Sequence, residues 1–93
     1  MKNYRNSPRI VYDVLTITQD ANQSGIKTTS LLTKANLSHS RLEKFVKNLI
    51  GAGLVNKIEY DGKNTFVITE KGRLYLEQYR KFESLTASMG LEL

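Results

Sequence analysis

Between residues 38 and 50 the chain sets Ser38, His39, Ser40, Arg41, Lys44, Lys47 and Asn48 into the spaces of an apolar series, Leu42, Phe45, Val46, Leu49 and Ile50. The apolar members recur at i, i+3, i+4, i+7 and i+8, the spacing of one buried stripe on an α-helix. The polar members must then project from the opposite face, where Glu43 is the only acid. Ammonium groups meet phosphate oxygens as point charges, and a guanidinium can offer two parallel N–H donors to the O6 and N7 of guanine. Such a face suits a nucleic acid duplex, with Lys44 and Lys47 for phosphates and His39, Ser40 and Arg41 for base edges. Arg41 is the best placed of the three for a bidentate contact. Taken singly, His39 reads as a polar surface residue rather than a pH sensor or ligand, and each lysine as solvated surface rather than a contact; their placement on one face raises the expectation.

A helix that presents this face needs a start, a stop and a neighbour. Ser38 is suited to the N-cap, its hydroxyl accepting from a free N–H of the first turn. Gly53 followed by Leu54 has the pattern of a left-handed glycine stop. Upstream, Leu31, Leu32, Ala35 and Leu37 give a shorter helix an apolar side, with Thr28 as its expected N-cap and Thr28, Thr29 and Lys34 outside. The N-terminal N–H groups of such a helix favour an anion, so Thr28 and Thr29 are candidate phosphate contacts with Lys34, unless Thr28 only caps. With a turn at Asn36 and Leu37, the two helices describe a helix-turn-helix, whose second helix lies in a major groove.

Downstream, Val55 to Tyr60 and Thr65 to Ile68 are rich in β-branched and aromatic residues, separated by Asp61-Gly62-Lys63-Asn64. This predicts a β-hairpin with a four-residue loop, Ile58, Phe66 and Ile68 facing the helices, and Lys57, Lys63 and Asn64 outward or at the tip. A hairpin in that position is a wing, able to touch the duplex backbone or minor groove. Gly62 and Asn64 are alternatively explained by turn geometry alone.

Around this centre, residues 1–6 with Lys2 and Arg5 form either a frayed end or a basic arm. Ser7 and Pro8 predict an N-cap and a first helical residue, followed by a scaffold helix with Ile10, Val11, Val14, Leu15 and Ile17 on one face, ending near Thr18 or Asp20. Asn22 to Gly25 reads as loop, and Gly25-Ile26-Lys27 as a very short strand. Thr69 is the expected N-cap of a last helix, reaching about Ser88 with Glu70 in its first turn. Along it Tyr75, Tyr79, Phe82, Thr86, Met89 and Leu93 keep heptad spacing, widened by Leu74 and Leu85. A helix of about 20 residues is about 30 Å long, more than so small a core covers. Its far half would expose Phe82, Leu85 and Met89, which predicts self-association; the other reading, from Gly90 and the preceding Ser and Thr, is a frayed tail.

Ninety-three residues imply one domain with a small core, and 40% hydrophobic with 25% charged residues fits a soluble globular chain. No apolar run suffices for a bilayer and the N-terminus lacks an apolar signal region, so a cytoplasmic location and no membrane partner are expected. The absence of cysteine excludes disulfides and thiolate metal sites, and a single histidine leaves little for metal. No nucleophile–base–orienter set, phosphate loop, cofactor motif or small-molecule pocket is visible, so an enzyme is not expected. The net charge of +5 suggests a polyanionic partner. Basic residues exceed acidic by three over residues 1–35 and by two over 36–68, then balance from 69 onward, suggesting that the last third has a different partner.

The run LSHSRLEKFVKNLIGAGLVNK, a short hairpin and then FVITEKGRLYLEQYRK resemble the archaeal winged helix-turn-helix regulators. The similarity is greatest to small archaeal proteins made of one winged helix plus a C-terminal helix that pairs two copies in an antiparallel coiled coil. It covers Arg9 to Phe82, and Gly53-Leu54-Val55 and Ile68-Thr69-Glu70-Lys71-Gly72 carry it best. The resemblance implies an α+β fold, a three-helix core plus hairpin wing over residues 1–68 and a dimerisation helix over 69–93. It places Ser38 through Asn48 in the major groove of double-stranded DNA and the Lys57 to Asn64 hairpin beside it. The expected seam of a homodimer holds Tyr75, Tyr79, Phe82, Leu85 and Met89, on a final helix shorter than the family's. Members include transcription factors and abundant chromatin proteins. The expectation is therefore a dimeric transcriptional regulator inserting helix 38–51, with a non-specific architectural DNA binder or a protein-interaction module as alternatives.

Overall fold

The computed structural model describes residues 6–21 and 23–91. The expected basic arm with Lys2 and Arg5, the loop residue Asn22 and the heptad position Leu93 lie outside the described residues. Four helices and three strands follow in the order α1 (Ser7–Asp20), β1 (Ile26–Lys27), α2 (Thr28–Ala35), α3 (His39–Gly51), β2 (Val55–Tyr60), β3 (Lys63–Ile68) and α4 (Glu70–Ser88). This is the α+β winged helix arrangement: three helices, an antiparallel sheet in the order β1-β3-β2, and a C-terminal helix. No helix among the described residues is long and apolar enough to cross a membrane.

Local chemistry sets most boundaries as expected, with two shifts. The Asn6 side chain, not Ser7, caps α1 by accepting from the Arg9 N–H at 2.9 Å, which moves Pro8 to the second helical position. Either residue can cap, and asparagine one position earlier satisfies the same orphan donors. Thr28 does not cap α2. Lys27 occupies that position without a side-chain bond, because β1 pairs with Thr65 and Phe66 of β3 and runs straight into the helix. Asn36 then turns the chain in the left-handed conformation at φ 56°. The helix α3 starts on Ser38, whose hydroxyl accepts from the Arg41 N–H at 3.3 Å. It stops at Gly53, φ 81°, where the Gly53 N–H bonds the Ile50 carbonyl and the Leu54 N–H that of Leu49.

The hairpin departs from the expected four-residue loop. Asp61 and Gly62 both take positive φ, 54° and 74°, and Tyr60 pairs with Lys63, so the turn has two residues. Both positive φ values mark the type whose twist matches the strands, and Lys63 and Asn64 are thereby strand residues. The register also corrects the expected inward set. Ile58 pairs with Thr65, whereas Phe66 pairs with Lys57 and Ile26, so Ile58 and Phe66 lie on opposite faces of the sheet.

One core unites these elements: Ile10, Val14 and Leu15 of α1, Leu31 of α2, Leu42 and Leu49 of α3, Val55 and Phe66 of the sheet, and Leu76 of α4. The first half of α4 is locked to the end of α3. Thr69 caps α4 by accepting from the Gly72 N–H at 3.0 Å while its hydroxyl donates to the Gly53 carbonyl at 2.7 Å. The Lys71 ammonium donates to the Ala52 carbonyl, also at 2.7 Å. Two carbonyls of the turn that follows α3 are thus satisfied by the start of α4.

Candidate nucleic-acid interface

The ridge of α3 is exposed from end to end: Ser38, His39, Ser40, Arg41, Lys44, Lys47 and Asn48 are all open to solvent. At 100° per residue Ser40, Lys44 and Lys47 form its crest, opposite buried Leu42. Arg41 and Asn48 lie on one flank, where the Arg41 guanidinium sits 5.9 Å from the centre of the Phe45 ring. That contact holds the planar fork near the helix while leaving its N–H edges in water. His39 and Glu43 lie on the other flank, toward the sheet.

Between that flank and the sheet runs a groove of about 470 Å³. Leu42, Val46, Ile50 and Phe66 give it an apolar floor, and Thr28, His39, Glu43, Lys44, Lys47 and Lys57 form its rim. Ile50, expected in the buried stripe, is 37% exposed because it borders this groove and no element covers it. Lys57 reaches the groove because it pairs with Phe66 and shares its face. Asn64, opposite Glu59, lies on the same face, whereas Lys63, opposite Tyr60, projects from the other side of the wing tip.

The structure therefore brings Thr28, His39, Lys44, Lys47 and Lys57 around one groove and sets Ser40 and Arg41 on the adjoining crest and flank. Thr29 and Lys34 are exposed on α2, the Thr29 carbonyl accepting from the Thr33 hydroxyl at 3.1 Å. The ion pairs among the described residues all belong to Arg9, with Asp13 at 3.2 Å and Glu83 at 2.8 Å. None of Lys34, Arg41, Lys44, Lys47, Lys57 and Lys63 is neutralised by one. Tyr60, 55% exposed beside Lys63, was not among the expected site residues. Its signal was its place directly before Asp61-Gly62, which puts it at the tip once the turn has two residues. No group of three His, Asp or Glu side chains that could hold a metal ion occurs among the described residues.

At the far end of the molecule the expected seam divides in two. Tyr75 and Tyr79 are half-buried against α1: the Tyr79 ring stacks on Tyr12 at 4.7 Å, and the Tyr75 hydroxyl donates to the Pro8 carbonyl at 3.0 Å. Burial, then the neighbouring Tyr79, raises the Tyr75 phenol above its ordinary pKa, which keeps the donated proton in place. Phe82, Leu85 and Met89 are 49%, 52% and 65% exposed.

A helical pair with an exposed cationic second helix, followed by a two-stranded wing, defines a winged helix-turn-helix domain. The winged helix-turn-helix family model matches residues 4–87, and the chain belongs to that family and not to a family of enzymes. No curated protein sequence matches it. Among solved structures, it is similar to Sso10a-2, a DNA-binding protein from Sulfolobus solfataricus, with a TM-score of 0.73 at 21% identity over 91% of this chain and 85% of that one. It is also similar to SSV1 F-93, with a TM-score of 0.65 at 20% identity over 96% and 99%. The Mycobacterium tuberculosis transcriptional regulator MosR, solved in complex with DNA, gives a TM-score of 0.70 at 18% identity over 84% of this chain and 60% of MosR. At these identities the likeness is one of fold.

Proposed function

We propose that the protein is a dimeric DNA-binding transcriptional regulator that lays α3 in the major groove and its wing along the adjacent backbone. The observation that carries this reading is the ridge of Ser40, Lys44 and Lys47, flanked by Arg41 and Lys57, exposed and without an ion pair among the described residues. Cations left unpaired on one convex helix are free to replace the counterions of a duplex. The lysines, with Thr29 and the free N–H groups at the start of α2, position the backbone; Arg41, Ser40 and His39 meet base edges. Sso10a-2 is itself described as DNA-binding, and MosR was solved with DNA bound, which supports the same use of the shared fold.

In this reading residues 1–68 grip the duplex and the helix of residues 69–93 pairs two copies. The first half of α4 also closes the winged core through Leu76, and three exposed side chains of its second half, Phe82, Leu85 and Met89, form the seam with a second copy. Arg41→Ala combined with Lys44→Ala should abolish duplex binding while circular dichroism and sedimentation stay unchanged; undiminished affinity would reject the assigned face. Selection of bound duplexes from a random pool tests the regulatory role, since a sharp consensus supports a site-specific regulator and its absence an architectural protein.

A further inference from the structure

Two paired copies can read a duplex only if their α3 helices stand at a matching separation, which depends on the angle at which α4 leaves its own winged domain. The start of that helix is pinned by Gly72 under Leu54 and by Leu76 in the core. Further along, its direction depends on contacts gathered around one ring of α1. Tyr12 is stacked on Tyr79 at 4.7 Å, with the Arg9 guanidinium 5.2 Å and the Arg80 guanidinium 5.8 Å from its ring centre. The Arg80 Nε also donates to the Tyr12 hydroxyl at 3.4 Å, and Arg9 is tied back to Glu83 of α4 at 2.8 Å. Stacked rings and guanidinium–ring contacts favour particular orientations, whereas aliphatic surfaces can slide. Among the described residues the polar and ring contacts from α4 to α1 reach Glu83 and go no further, so the seam residues Leu85 and Met89 ride beyond them.

We propose that this cage around Tyr12 sets the separation of the two winged domains in the dimer and thereby the half-site spacing that the protein accepts. The proposal rests on the dimeric DNA-binding reading above. From Leu76 to Met89 the helix is a lever about 20 Å long, so a 10° change in its direction moves the seam by about 3.5 Å. That is about the rise of one base pair. Because the change occurs in both protomers, the two domains would shift relative to each other by up to about two base pairs. Tyr12, Arg9, Arg80 and Glu83 are positioning residues for that separation.

The chain has no cysteine, so Glu59→Cys places a single spin label on the wing of each protomer. Pulsed electron paramagnetic resonance on the full chain then reads the distance between the two wings. In an otherwise unaltered background one narrow distance distribution is expected. With Tyr12→Ala, and separately with Arg80→Gln plus Glu83→Gln, the distribution should broaden about twofold or shift by about one base-pair rise, while sedimentation still reports a dimer. The exposed double substitution decides the matter should Tyr12→Ala fail to fold. On duplexes whose half-sites are moved apart one base pair at a time, the unaltered protein should lose about tenfold or more off its best spacing, and both variants only about threefold. A narrow, unshifted distribution in a dimeric variant overturns the cage proposal and leaves the dimer standing. Absence of any wing-to-wing distance overturns the dimer and the cage together. A dimer that ignores duplex DNA overturns the DNA-binding reading, and with it the half-site spacing.

Discussion

Salt dependence is the sharpest quantitative consequence of the unpaired cations. Lys34, Lys44, Lys47 and Lys57 are exposed, lie on the two helices and the groove-facing side of the wing, and have no ion-pair partner among the described residues. Each phosphate neutralised on B-form DNA contributes about −0.9 to the slope of log K against log salt. Four contacts per protomer give a slope of about −3.6, so raising the salt from about 50 to about 200 mM should weaken half-site binding about 150-fold. Lys44→Ala with Lys47→Ala removes two contacts and should flatten the slope by about 1.8, equally on every sequence. Arg41→Ala should behave differently: its loss removes base discrimination and changes the slope far less, because the guanidinium is assigned to a base edge and not to a phosphate. The measurement is fluorescence anisotropy with a labelled duplex carrying one half-site, titrated at four potassium chloride concentrations. A slope shallower than about −2, or one that the double lysine substitution leaves unchanged, would refute the assignment of these lysines to the backbone.

Gly72→Ala should destabilise the fold although alanine is the better helix former by about 1 kcal/mol, because the added Cβ meets the Leu54 carbonyl and lies 2.6 Å from Ile68 Cγ1. A net loss of about 1–2 kcal/mol, read as a fall of roughly 4–15 °C in Tm, is expected; an unchanged or higher Tm would contradict the contact. Tyr75→Phe removes the hydrogen bond to Pro8 and with it an alkaline step in stability. The folded phenol has its pKa raised above the unfolded value of about 10, so its contribution is complete below that pH and is lost as pH rises through the folded value. Denaturant midpoints measured between neutral and strongly alkaline pH should fall less steeply in the variant than in the unaltered chain. Phe82→Glu places a charge in the proposed seam and should yield monomers by sedimentation; a profile that stays dimeric would remove Phe82 from the seam.

Where one local rule governs, the sequence by itself specifies the feature. The stripe of Leu42, Val46 and Leu49, the caps Ser38 and Thr69, and the brief strand at Ile26 and Lys27 each follow from spacing or from a single hydrogen bond. The misplaced features depend on competition between near-equal choices. Asn6 and Ser7 both cap well, and proline is accepted at either of the first two helical positions. Three of the four residues from Asp61 to Asn64 are common in turns, but Asp61 and Gly62 can by themselves adopt the two positive φ values of a tight hairpin, so pairing extends to the tip. Asp-Gly between two strand-forming runs is itself the signal of the shorter loop, and the cross-strand pairs Tyr60–Lys63 and Glu59–Asn64 follow from it.

The C-terminal helix shows why periodicity locates a face without naming its partner. Tyr75, Tyr79, Phe82 and Met89 share one heptad line, which by itself predicts a single seam with another helix. In the folded chain Tyr12 takes Tyr79 and the Pro8 carbonyl takes Tyr75, while Phe82 and Met89 stay open. Nothing along the linear pattern separates the two pairs, since the difference lies in where α1 begins. Because α1 starts at Ser7 and its ring and ion-pair contacts reach only to Glu83, Tyr75 and Tyr79 hold the domain together while Phe82 and Met89 face solvent, with buried Thr86 between them donating to the Glu83 carbonyl. A substitution at Tyr79 should therefore be felt first in the α1–α4 contact and one at Phe82 first in association, although the two residues lie only about one helical turn apart.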